Sequence, residues 1–82
     1  MEKRIGAALI MVENRESIGR LNQIISAHAD IIVGRQGIPL SGQGVSVISL
    51  VLEGSADQLG SLTGPIGQLD GVQVKSVMMR GR

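Results

Sequence analysis

Val12-Glu13-Asn14-Arg15-Glu16-Ser17 marks a change of periodicity in the chain. Before it, Ile5 to Val12 is apolar at every position except Gly6. Both alternating sets of that run, Ile5/Ala7/Leu9/Met11 and Ala8/Ile10/Val12, are hydrophobic, so a strand here must be covered on both faces. After it, Ile18, Leu21, Ile24, Ile25 and His28 recur at helical spacing, with Arg15, Arg20, Asn22 and Gln23 off that face. Asn14 between them is a natural N-cap, and Glu16 suits the positive end of the helix dipole. These features predict a central strand over 3–13 and a helix over 15–28.

The rest of the chain repeats that alternation. Ile31-Ile32-Val33 opens a strand over 31–38, whose glycines and following Pro39 suit a sheet edge. Leu40-Ser41-Gly42-Gln43-Gly44 is a turn signal, and Val45 to Leu52 is a second doubly apolar strand, forming a hairpin with the one before. Ser55-Ala56-Asp57-Gln58 fits a capping box, with Leu59, Leu62, Ile66 and Leu69 at helical spacing behind it. Pro65 falls within that helix, where it removes a hydrogen bond and crowds the preceding turn, so a kink or break near Gly64-Pro65 is expected. Asp70-Gly71 then turns the chain into an alternating edge strand, Val72 to Met79.

The order strand–helix–strand–strand–helix–strand spans residues 1–82 as one domain. Right-handed crossovers put both helices on one side of a four-stranded antiparallel sheet of order 4-1-3-2, an α+β, ferredoxin-like sandwich. No element remains for the other face, although the first and third strands are apolar there too. A homo-oligomer, dimer or tetramer, that buries this face is therefore expected. Composition agrees. The chain has no Phe, Tyr, Trp or Cys, so neither aromatic burial nor disulfides help a small core.

Composition also excludes function classes. Eight Lys/Arg against seven Asp/Glu give a net charge of +1, too balanced for direct nucleic-acid binding, and no ring is available to stack on a base. The longest apolar run, Ala7 to Val12, is far too short to span a membrane, and no signal-peptide pattern precedes it. A cytoplasmic protein is expected. His28 is the only histidine and has no cysteine to join it, so neither a metal site nor a cofactor is expected. Ser46 and Ser49 lack a histidine–carboxylate pair to activate them, and no other catalytic constellation is visible, which argues against an enzyme.

Several stretches match a known pattern. They are Arg4-Ile5-Gly6, Val12 to Ser17, Ile32-Val33-Gly34-Arg35-Gln36-Gly37-Ile38-Pro39, Gly44 to Ser49, Leu62-Thr63-Gly64 and Gly71 to Lys75. Through them the chain resembles the family of iron-only hydrogenase system regulators. That resemblance implies an ACT-like domain, similar to the effector-binding domain of nickel-responsive repressors, and a regulatory role. The repressor's histidine and cysteine ligands have no counterparts here, so nickel sensing is not implied. The chain departs from the family pattern at Leu40, where an aromatic residue is common, and at Pro65.

Two stretches are candidate ligand-binding positions. Asn14, Arg15 and Glu16 occupy the first strand–helix turn, where helix N–H groups and an arginine fork can receive a carboxylate. The structural alternative is a capped helix with solvated charges. Gly34, Arg35 and Gly37 form a strand that another backbone or a ligand can approach; the alternative is a bulged edge with a solvated arginine. The first functional expectation is a non-enzymatic regulatory or sensor domain that binds a small-molecule effector or a protein partner. The rival is a structural or assembly protein that pairs through its sheet edge.

Overall fold

A computed structural model describes residues 3–40 and 42–80. The apolar runs form β1 (Arg4–Val12), β2 (Ile32–Leu40), β3 (Val45–Gly54) and β4 (Val72–Met78); the periodic stretches form α1 (Ile18–Ala27) and α2 (Ala56–Gly67). All strand pairings are antiparallel and the sheet order is β2-β3-β1-β4, as the crossover argument requires. The chain is α+β with both helices against one sheet face.

The registers assign every strand residue to a face. On β1, Ala8, Ile10 and Val12 point to the helices; they stand beside Leu50, Ile48 and Ser46 of β3, and beside Ser76, Val74 and Val72 of β4. Leu21, Ile24 and Ile25 of α1 and Leu59, Leu62 and Ile66 of α2 close over them. The core is wholly aliphatic, and Ile10, Leu50, Leu52, Leu62 and Ile66 are fully buried within it. The opposite set (Ile5, Ala7, Leu9, Met11) meets Glu53, Val51, Ser49 and Val47 across β3, and Val77, Lys75 and Gln73 across β4. No helix of the described residues covers this face. Leu9 is 56% exposed while its neighbour Ile10 is 0% exposed, and Val51 and Val77 are exposed with Leu9.

Both helix starts follow from local chemistry. The Asn14 side chain accepts the Glu16 N–H at 3.0 Å, which caps a 3-10 turn over Arg15–Ser17 that leads into α1. The expected single helix is thus a tight turn followed by an α-helix. Ser55 completes the expected capping box: its hydroxyl accepts from the Gln58 N–H at 3.2 Å, and the Gln58 side chain accepts from the Ser55 N–H at 2.9 Å.

Of the kink or break expected near Gly64-Pro65, the break does not occur, because α2 runs unbroken to Gly67 with Pro65 inside it. Pro65 lies in the last turn, so the only hydrogen bond it forgoes is the one to the Ser61 carbonyl, and Ser61 and Pro65 are both on the exposed side. The second strand also runs later than expected, from Ile32 through Pro39 to Leu40, with a bulge between Ile32 and Gly34. No helix of the described residues is long and apolar enough to cross a membrane.

Candidate functional site

The hairpin of β2 and β3 extends past the N-terminal end of α1, and a pocket of about 190 Å³ lies between them. One wall comes from the β1–α1 junction: Val12, Arg15 and Ile18. The other comes from the hairpin, where Pro39, Leu40 and Val45 supply apolar surface and Ser46 a hydroxyl. Gly42 and Gly44 complete the hairpin side with bare backbone, both at positive φ (81° and 68°), as the tight connection requires. Apart from Arg15 and the Ser46 hydroxyl, every side chain of the described residues on these walls is aliphatic.

The Arg15 carbonyl accepts the Ile18 N–H, but the Arg15 side chain has no hydrogen-bond or ion-pair partner among the described residues, and its guanidinium is the single charge among the described lining residues. Arg15 is exposed at the mouth of these walls, where its guanidinium offers five fixed donors to a planar anion. Among the described residues no acidic side chain lines the pocket, since Glu13 and Glu16 are exposed outside it.

The junction that carries Arg15 is held from behind. The Glu13 N–H donates to the Gly71 carbonyl at 2.7 Å, and the buried Ser17 hydroxyl donates to the Asp70 carbonyl at 2.7 Å. The α2–β4 turn therefore fixes both sides of Arg15. None of these contacts is visible as a motif, because they join residues more than fifty positions apart.

The two sequence-predicted stretches do not converge. Asn14 and Glu16 serve the helix start, and only Arg15 of that group lines the pocket. Arg35 pairs across the sheet with Leu50, which places it on the helix side of β2. With Gly34 it borders a separate, more open groove of about 310 Å³ against Ile25, Ser26 and Ala29 at the end of α1. Gly37 lies between the two sites opposite Ile48 and lines neither of them. Pro39 is the residue through which the second stretch reaches the Arg15 pocket. Sequence reasoning missed Val12, Ile18 and the Gly42–Ser46 side; the glycine pair in the turn was the only local signal there.

His28 caps α1 and bridges the helices. Its Nδ1 lies 2.7 Å from the Ile24 carbonyl, which only accepts, so Nδ1 carries the proton. Its Nε2 then accepts from the Ser61 hydroxyl at 3.2 Å. Both ring nitrogens are occupied within the fold. Among the described residues, no group of three His, Cys, Asp or Glu side chains is placed to hold a metal ion.

The family model "TM1266-like: Iron-only hydrogenase system regulator, putative" matches residues 4–76. The solved structure of the uncharacterized protein TM1266 from Thermotoga maritima is similar at a TM-score of 0.90 and 36% identity, over 96% of this chain and 100% of that one. Two more distant structures share the fold alone. CutA1 from Oryza sativa matches at a TM-score of 0.54 and 18% identity, over 96% of this chain and 83% of that one. A nitrogen regulatory PII-like protein from Thiomonas intermedia K12 matches at 0.52 and 17%, over 96% and 92%. No curated protein matches the chain.

Proposed function

The chain belongs to the TM1266-like family of iron-only hydrogenase system regulators, and from that premise we propose that it is a non-enzymatic regulatory domain that self-associates through its open sheet face and responds to a small effector. The observation that carries this reading is the uncovered apolar face of β1 and β3, where Leu9 and Val51 stand in the open with Val77 beside them. Exposed apolar faces of this extent mark interaction sites.

The effector site is the Arg15 pocket, more enclosed than the cavities beside His28 and beside Arg35, and the one that joins the helix junction to the hairpin. The Gly34–Arg35–Gly37 stretch, half-buried at Gly34 and exposed at Arg35 and Gly37, is the surface for a protein partner that links this domain to its regulated system. The near-zero net charge fits action through such a partner rather than direct contact with DNA.

The rival reading, an assembly protein that pairs edge to edge, draws on β2, which is nearly all exposed at the sheet margin. Both edges carry devices that blunt such pairing: Pro39 on β2 and Lys75 on β4. Light scattering and sedimentation on the unmodified protein and on Leu9→Glu decide between them. Face-to-face assembly gives a dimer or tetramer that Leu9→Glu converts to a folded monomer. A strict monomer at high micromolar concentration refutes self-association. An oligomer indifferent to Leu9→Glu moves the interface to an edge.

A further inference from the structure

We propose that the Arg15 pocket takes a short aliphatic monocarboxylate that carries no α-ammonium group. The inference rests on the reading of the chain as an effector-responsive domain, and it names the chemical class of that effector. Three features of the lining set the class. The first is charge. Arg15 is the only charged residue among the described lining residues, and its side chain has no partner among the described residues, so the complementary ligand group is a single anion. The planar fork of a guanidinium matches a carboxylate with two parallel hydrogen bonds.

The second is the absence of any acidic side chain among the described lining residues. An ammonium group beside the carboxylate would sit next to the Arg15 guanidinium with no acidic side chain among the described lining residues to receive it, and like charges at such a distance repel. The site therefore selects against zwitterionic amino acids and accepts carboxylic acids of the same carbon skeleton. The Ser46 hydroxyl can serve one further neutral polar group, such as a hydroxyl or keto oxygen.

The third is size and wall chemistry. An apolar cavity of about 150 Å³ holds one benzene molecule, so about 190 Å³ holds roughly eight non-hydrogen atoms on the same scale. A carboxylate with a four- or five-carbon branched tail fills that space. Val12, Ile18, Pro39 and Val45 supply the aliphatic walls for its tail. A nucleotide does not fit.

The test uses the full chain, with amide NMR shifts and calorimetry, and the probes are 4-methylpentanoate, its neutral amide and leucine. The expected result is that 4-methylpentanoate perturbs the amides of Val12, Arg15, Ile18 and Val45 and binds at least about tenfold tighter than either other probe. Arg15→Gln then loses about tenfold or more, while Arg20→Gln, on the exposed helix face, does not. Equal binding of the amide or of leucine overturns the proposal. So does an unchanged affinity in Arg15→Gln, or the absence of any pocket shift at about 10 mM ligand. The three-probe comparison on the unmodified chain stands even if an Arg15 variant folds poorly. Assembly is read separately by light scattering, so a failure of self-association and a failure of the ligand class give different results.

Discussion

Gly71 sits so close to Asn14 that a Cβ on Gly71 would lie 2.6 Å from the Asn14 Cβ and 3.0 Å from its backbone nitrogen. Gly71 also adopts a φ of +68°, in the left-handed region that side chains resist. The Glu13 N–H donates to the carbonyl of this same glycine. Gly71 is thus the point where the α2–β4 turn locks the β1–α1 junction. Gly71→Ala is expected to cost about 2–4 kcal/mol, from left-handed strain and the clash with backbone together. Urea denaturation measures it; a loss below about 1 kcal/mol would mean the junction relaxes freely.

Ser17 makes the second tie across the same junction. Its hydroxyl is buried and donates to the Asp70 carbonyl. Ser17→Ala leaves that carbonyl without this donor, and about 1–2 kcal/mol of stability is expected to go with it. Because Ser17 and Glu13 flank Arg15, the same change should also broaden or shift the Arg15 backbone amide resonance in NMR. Lost stability with an undisturbed Arg15 amide would separate the clamp from the site.

Gly60 and Gly64 lie one turn apart on the exposed side of α2, and a Cβ at either position meets nothing within 4 Å. Each weakens the helix relative to alanine by roughly 0.5–1 kcal/mol. Gly60→Ala with Gly64→Ala is therefore expected to raise thermal stability by about 1–2 kcal/mol. A scanning calorimetry trace with no increase would show that this side of α2 is occupied in the assembled protein.

Much of the architecture is legible in the sequence because two periodicities alternate cleanly. Period-two apolar runs became strands, period-3.6 runs became helices, and Asn14 and Ser55 mark where one gives way to the other. What the sequence does not disclose is which face of β1 meets the helices. Both of its alternating sets are aliphatic, and only the register beside Leu50 and Val74 puts Ile10 inside and Leu9 outside. The pocket is hidden for a related reason. Arg15 stands out locally, but its walls come from residues near 12–18 and 39–46, which meet only because β3 lies beside β1. Pro65 misleads because its cost depends on its place in the helix. In the last turn it forgoes one hydrogen bond on the wet side and no more.

Val51 and Arg35 separate the two surfaces that β3 and β2 present. Val51 is 44% exposed on the open face, between Ala7 of β1 and Gly34 of β2. Arg35 is one residue further along β2 but on the helix side, opposite Leu50. If copies associate through the open face, a charge at Val51 must be buried or the interface must part. Burying a valine side chain contributes about 1.5 kcal/mol or more, so Val51→Lys is expected to raise the oligomer dissociation constant at least tenfold, a change of about 1.4 kcal/mol. Its effect on the folded monomer should be small, because the side chain already points to solvent. Arg35→Ala should change monomer stability by less than about 0.5 kcal/mol, as an unpaired exposed arginine contributes little. It should also leave self-association unchanged, and its loss should appear only when a protein partner is present. Sedimentation velocity over a concentration series compares the two variants directly. If Arg35→Ala dissociates the oligomer and Val51→Lys does not, copies meet on the helix side of β2 and the open face serves something else.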